Sequence, residues 1–355
     1  MTKRVLFYCH NVFGLGHIVR SLRIAEACVE GYGMQCKVVT GCRSLDDIAH
    51  PAGIALERLP PVRRAPGDTL SIDTRDMAVF RDRAARIVDL VRAWRPDVLV
   101  ADSNPLGLGG ELVDALSVIR RERLPVRAIW GVPYEQRFPI HRQREALAAF
   151  ESAMAYTDPA VEPVLEGLPF VPPHAAYVGF VAQPLGLSEP AAEPLVVGLC
   201  GGGALSASMF RIFCGALQRL PHVRGRFVAG PLAEDDAPAH SLPRIEVWRT
   251  AELEEAVRDA AVVVTRAGYN TTYALAATPL PLILAPLPVE TTDQHARAER
   301  LRHLDGVFVV DERLLSSTDD LSAAITAALA RGRAPRPLPF RIDGAARAAA
   351  WIAAE

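Results

Sequence analysis

At 355 residues and half hydrophobic, the chain can bury two cores of ordinary domain size. A formal net charge of −2, with both signs interspersed, excludes the basic stripe of a nucleic-acid binder. The N-terminus, MTKRVLFYCHNVFGLG, lacks the apolar stretch and cleavage site of a secretory leader, and no run of about 18 apolar residues occurs. The expectation is therefore a cytoplasmic protein with no transmembrane segment, peripheral membrane contact being left open. Six cysteines (Cys9, Cys28, Cys36, Cys42, Cys200 and Cys214) show no C-x-x-C spacing, which predicts reduced thiols and no zinc site.

In chain order, RVLFYCH (4–10) reads as a strand, and HIVRSLRIAEACVEGYG as a helix ended by Gly31 and Gly33. QCKVVTG (35–41) is a strand. A polar, Pro-rich loop follows around 60–75, then a long helix, MAVFRDRAARIVDLVRAWRP, stopped before Pro96. DVLVADS (97–103) is a continuous apolar strand of the kind buried on both faces of a parallel sheet. ELVDALSVIRRERL is a helix and VRAIWGVP (126–133) a strand. Residues 159–194 are dense in Pro with little periodicity, which marks a boundary.

The alternation then restarts. LVVGLCGGG is a strand with a Gly-rich turn, followed by the helix SMFRIFCGALQRL and the strands GRFVAGP and RIEVW. ELEEAVRDA is a helix, AVVVTRAG a strand, YNTTYALAA a helix and PLILAPLP a strand. HARAERLRHL, GVFVV and DLSAAITAALARG continue as helix, strand, helix, and the tail suits one more helix. Strands alternating with helices predict an α/β protein of two Rossmann-like domains facing each other across a cleft. The predicted boundaries are 1–165 for the first domain, 166–193 for a Pro-rich linker, 194–337 for the second domain and 338–355 for a tail helix packing back on the first.

Four loops carry candidate chemistry. Gly14-Leu15-Gly16-His17 stands where a strand gives way to a helix; the glycines allow a tight turn, and the helix start presents amide N–H groups to an anionic or polyhydroxylated ligand. His17 reads either as a catalytic base or as a solvent-facing helix residue. Gly201-Gly202-Gly203 repeats the arrangement after another apolar strand, suiting a diphosphate or serving as a plain flexible turn. It is neither a P-loop nor a G-x-G-x-x-G turn with a ribose-binding acid, which disfavours ATP-type phosphoryl transfer and nicotinamide chemistry. Thr265-Arg266-Ala267-Gly268-Tyr269-Asn270-Thr271-Thr272 ends a strand and opens a helix with amides and hydroxyls. Capping explains one of those side chains well and three poorly. Asp293-Gln294 follows the strand PLILAPLP; the pair supplies acceptors and donors for the hydroxyls of a sugar, although Asp293 also suits a helix cap.

In that order and spacing, FYCHNVFGLGHIVRSL, PDVLVADSNPLGLGGEL, LCGGG and TRAGYNTTYALAATPLPLILAPLP…TDQHARAERL resemble the peptidoglycan N-acetylglucosaminyltransferase family and its "predicted glycosyltransferase" relatives. The resemblance implies a GT-B fold and an inverting transfer of sugar from a UDP- or dTDP-sugar to a hydroxyl or amine of a small-molecule or glycan acceptor. It implies His17 as the base, with Gly14, Gly16 and Asn104 on the acceptor side. Gly201, Gly202, Gly203, Arg249, Thr250, Arg266, Gly268, Tyr269, Asn270 and Thr271 would bind the donor nucleotide and diphosphate, and Asp293 and Gln294 the donor sugar. No cofactor is implied, and the absence of an Asp-x-Asp motif predicts no metal. One departure stands out: the family's ribose-gripping glutamate is Ala274 here, so that a neighbour such as Tyr273 compensates, the donor is a deoxyribonucleotide sugar, or donor use is lost. Two further readings stay open: a nucleotide-sugar hydrolase in which His17 activates water, and a binding protein that keeps the cleft without the chemistry.

Overall fold

The computed structural model describes all residues except 1, 11–13, 44, 49, 63–76, 135–146, 169, 202–205, 231–232, 234–241, 251, 288–292, 312–317 and 355. The chain forms two compact units, Met1–Val181 with Asp343–Glu355, and Ala182–Ile342.

The first unit holds β1 (Arg4–Cys9), α1 (Gly16–Tyr32), β2 (Gln35–Thr40), β3 (Ile54–Arg58), α2 (Met77–Trp94), β4 (Val98–Asp102), α3 (Val113–Arg121), β5 (Arg127–Val132), β6 (Ser152–Ala155) and β7 (His174–Tyr177). The strands make one parallel sheet in the order β3-β2-β1-β4-β5-β6-β7. β4 is buried at every position, as a strand covered on both faces must be. Leu6, Tyr8, Leu99, Ala101 and Trp130 from the central strands anchor the core. α1 ends at Gly33, whose φ of 62° lets its N–H and that of Met34 close on the carbonyls of Val29 and Cys28. Gly31, expected to share that role, lies inside the helix.

Three strands lie outside the sequence expectations: β3, β6 and β7, the last within the stretch read as a linker. β6 is SAMA and β7 is HAAY. Neither carries the β-branched alternation that marks a strand locally; both form by pairing in sequence along the edge of β5. The tail helix, α9 (Gly344–Ala354), belongs to this unit and packs on α1. Lys3 Nζ donates to the carbonyls of Ile352 and Ala353, each at 2.9 Å, a cation at the negative end of the helix.

The second unit runs β8 (Leu195–Leu199), α4 (Ser206–Gln218), β9 (Arg224–Val228), β10 (Ile245–Trp248), α5 (Leu253–Val257), β11 (Val262–Thr265), α6 (Tyr269–Ala276), β12 (Leu282–Leu284), α7 (Gln294–Leu301), β13 (Val307–Val309) and α8 (Asp319–Arg331). Its sheet is also parallel, in the order β10-β9-β8-β11-β12-β13. Val196, Phe213, Phe227, Val264 and Ile283 lie at the centre of its core. Both units thus have Rossmann-like strand order, with the switch point between β1 and β4 in the first and between β8 and β11 in the second. Among the described residues, no helix is long and apolar enough to cross a membrane.

Candidate active site

In open parallel sheets, ligands bind beyond the carboxyl ends of the strands at the switch point. Four of the sequence-selected blocks fall there. The Gly14–His17 turn follows β1 and Asn104 follows β4 in the first unit; Gly201 follows β8 and Arg266–Gly268 follows β11 in the second. A Cβ built on Gly14, Gly201 or Gly268 meets nothing within 4 Å among the described residues, so the face of each turn is open. Gly201 also holds φ of 60°, a left-handed backbone that favours glycine. Gly202 and Gly203 lie outside the described residues.

The chemistry of the first unit centres on His17, in the first turn of α1. Its Nδ1 lies 2.6 Å from Asp102 Oδ2 at the end of β4. Arg20 Nη2 lies 3.0 Å from the same Nδ1. The carboxylate only accepts, which assigns the proton of the shorter contact to Nδ1 and, in the neutral ring, the lone pair to Nε2. The His17 side chain is 20% exposed and that of Asp102 3%. Arg20, one turn along α1 and buried, donates from Nε to Asp102 Oδ1 at 2.9 Å and from Nη2 to Oδ2 at 2.8 Å. Burial alone would raise the Asp102 carboxyl, but the Arg20 guanidinium and the His17 hydrogen bond outweigh it and hold the group well below the usual carboxylate range. Asp102 is therefore a fixed anion that orients the His17 ring.

Three neighbours complete the setting. The His10 ring lies 4.1 Å from that of His17, centroid to centroid, tilted by 41°. Tyr134 meets the same ring edge-on at 6.4 Å. Ser103, directly after Asp102, is fully buried with φ of 64°, a left-handed conformation for a non-glycine residue. It is pinned on three sides: its N–H donates to Gly131 O at 2.8 Å, its carbonyl accepts from Trp130 Nε1 at 2.8 Å, and its hydroxyl donates to Tyr134 Oη at 2.8 Å. That turn aims the chain away directly beyond the Asp102 carboxylate. Asn104 holds the next turn by its backbone, its N–H on Asp102 O and its carbonyl accepting from Gly107 N. Behind the loop, Glu111 accepts from Tyr8 Oη at 2.7 Å, Arg83 Nε at 2.9 Å and Gly109 N at 2.8 Å, a buried network that fixes the β4–α3 connection.

In the second unit the sequence-selected residues divide into two groups. Gly268 caps α6, and Asn270 and Thr271 in its first turn are partly exposed, where a helix N-terminus presents amide N–H groups. Tyr269 is turned inward, packing on Tyr273 at 5.4 Å and under the Arg297 guanidinium. Arg266 is 4% exposed; Nη2 donates to Ser208 Oγ at 3.2 Å and Nη1 to Ala285 O at 3.4 Å, so it braces the loop from behind. Asp293 pairs with Arg297, and Gln294 Oε1 accepts from Leu287 N at 2.9 Å. Both side chains thus hold the start of α7, and both stay partly exposed. Arg249 is exposed at the end of β10, while Thr250 Oγ1 accepts from Glu252 N at 3.0 Å. Ala274 and Tyr273 are fully buried; the Tyr273 ring packs between Tyr269 and Phe340, in the core rather than at the open face.

Sequence reasoning missed Asp102, Arg20, His10, Ser103 and Tyr134. The one local signal for Asp102 is an acid placed directly after four apolar strand residues, VLVA, where the strand must surface.

Residues 235–338 match the glycosyltransferase family 28 C-terminal domain. Over 299 residues the chain is 27% identical to the UDP-N-acetylglucosamine--N-acetylmuramyl-(pentapeptide) pyrophosphoryl-undecaprenol N-acetylglucosamine transferase of Nocardioides sp. (strain ATCC BAA-499 / JS614), covering 78% of this chain and 76% of that protein. Among solved structures, the glycotransferase of kitacinnamycin superposes with a TM-score of 0.64 at 18% identity, covering 100% of this chain and 99% of that one. The spinosyn rhamnosyltransferase complexed with thymidine diphosphate gives 0.59 at 17% identity, over 98% and 94%. The two-unit architecture is accordingly the GT-B fold.

Proposed function

We propose that this chain, a glycosyltransferase with a family 28 C-terminal domain, moves a sugar from a nucleotide-diphospho-sugar to a hydroxyl or amine acceptor with inversion and without a metal. The second unit holds the donor, its diphosphate against the amide N–H groups at Gly268–Thr271 and the turn beginning at Gly201. Asp293 and Gln294 lie next to the sugar. His17 Nε2 takes the proton of the acceptor as its oxygen or nitrogen attacks the anomeric carbon. The bond to the diphosphate oxygen breaks, and the nucleoside diphosphate leaves with that electron pair. Asp102 stabilises the imidazolium formed in that step.

The observation that carries the reading is the His17–Asp102 bond at the switch point, because it leaves Nε2 as the proton acceptor on a partly exposed ring. Helix N-terminal amides are suited to a diphosphate leaving group in place of a cation, which supports metal independence. The relative's name specifies a UDP-sugar, and the rhamnosyltransferase structure holds thymidine diphosphate. A buried alanine at position 274 has no carboxylate for a ribose 2′-hydroxyl, which favours dTDP over UDP.

The test is the thermal midpoint of the purified protein against UDP, dTDP, GDP and ADP in the absence of metal. A nucleotide at a hundredfold excess over its Kd adds about 2.7 kcal/mol. A selective rise with dTDP or UDP is expected. No rise with any nucleotide at millimolar concentration would sink the transferase reading, and nucleotide release from a responding donor without acceptor would make the enzyme a hydrolase.

A further inference from the structure

We propose that Arg20 is a positioning residue that sets the basicity of His17, holding Asp102 in register while cancelling the charge that would otherwise keep a proton on the imidazole. The proposal rests on His17 acting as the base. The geometry is specific. Arg20 and His17 stand three residues apart on α1, hence on one face, and both reach the same carboxylate. Arg20 spans both oxygens, Nε to Oδ1 and Nη2 to Oδ2, while His17 Nδ1 shares Oδ2 and lies 3.0 Å from Nη2. The fork matches a carboxylate as no lysine can. The Tyr156 ring, 5.5 Å from the guanidinium carbon, backs the arginine from the end of β6.

The charge count decides the consequence. A lone histidine–aspartate pair is −1 before proton uptake and neutral after, so a buried pair holds its proton. With Arg20 the group is neutral before uptake and +1 after. Around a carboxylate whose side chain is 3% exposed, that difference favours the unprotonated imidazole, the form a base needs at neutral pH. Among the described residues, the other groups that face the pair do not supply the charge. His10, from the end of β1, is kept neutral chiefly by burial, which pushes its imidazole well below the usual range. Burial pushes the Cys9 thiol beside Asp102 up to about 12, so it too is neutral. Tyr134 offers a ring edge. Arg83, the other cation acting on His10, is spent on Glu111.

The experiment is an imidazole NMR titration of the full chain carrying 15N-histidine, His17 being assigned with His17→Gln. The native protein is expected to show the Nδ1–H tautomer. Arg20→Met removes fork and charge and should move the His17 titration midpoint up by ~1 pH unit or more relative to wild type. Arg20→Lys keeps the charge without the fork and should raise the midpoint by less than Arg20→Met does. If Arg20→Met does not fold, Arg20→Gln carries the same expectation. An unchanged midpoint in the neutral variants, or an equal rise in Arg20→Lys, overturns the proposal. The titration uses neither donor nor acceptor. A wild type that titrates as expected but binds no nucleotide would therefore defeat the transferase reading and leave the role of Arg20 standing.

Discussion

His17 has a histidine neighbour whose burial makes a separate demand on pH. His10 Nδ1 is buried without a hydrogen-bond partner among the described residues, and its imidazole is pushed well below the ordinary range by desolvation and by His17. Above pH ~6.5 both the folded and the unfolded chain carry it neutral, and it costs nothing. Below that the unfolded chain takes a proton which the folded chain refuses, so stability falls with pH by at most about 1.4 kcal/mol per unit. Hydrogen exchange of the β1 and β4 amides, which reports the first unit alone, should lose protection as the pH drops from 7 to 5, after correction for intrinsic exchange rates. His10→Gln, which does not titrate, should flatten that loss; equal slopes in the two proteins would contradict it. The residues at this site also mark how far the sequence could be read. His17 was legible because glycines and a strand-to-helix junction flag it locally. Its partner Asp102 lies 85 residues away, and no periodicity links them. Only the strand order, which brings β1 beside β4, puts Asp102 against His17.

Most elements announced themselves by composition, and those that did not were short or supported from outside. β6 and β7 have weak intrinsic preference and exist because β5 offers an edge; β3 is half exposed and adjoins a Pro-rich stretch. α6 presents a different problem. Its N-terminal turn was legible, but the inward placement of Tyr269 and Tyr273 was not, because a helix buried nearly all round shows no polar face by which to orient it. Tyr269, Thr272, Tyr273, Ala274, Leu275 and Ala276 are all buried. Position 274, where the resembling family places a ribose-gripping glutamate, is closed here, with 0% exposure. Ala274→Glu is therefore expected to displace packed neighbours and bury a carboxylate in the core, at a cost of ~2 kcal/mol or more. It should not strengthen nucleotide binding. Denaturant unfolding and the nucleotide-dependent midpoint measure the two effects. A variant with undiminished stability and a larger shift with UDP would mean that the site is open to ribose after all.

The chain as a whole builds its first unit from two pieces: Met1–Val181 is completed only when Asp343–Glu355 returns, after the entire second unit has intervened. The returning piece is held by a backbone contact that the sequence gives no reason to suspect. Val181 and Asp343 form an antiparallel bridge, and Gly344 donates to Phe180 O at 3.0 Å as α9 begins. A Cβ at Gly344 would lie 2.4 Å from Gly179 O and 2.7 Å from the Phe180 carbonyl carbon. Those are backbone atoms that cannot swing aside, so Gly344→Ala must lift the first turn of α9 from the 179–181 segment. The helix it displaces packs along α1, which carries His17 and Arg20. Overpacking of this kind costs ~1–3 kcal/mol, and the loss should fall on one unit. In Gly344→Ala, amides of α1 and α9 should exchange faster, while any protection that nucleotide gives α6 in the second unit should be unchanged. Equal acceleration in both units would mean that the substitution acts on the fold globally. Unchanged exchange in α1 would mean that α9 caps the first unit without supporting the helix that carries His17.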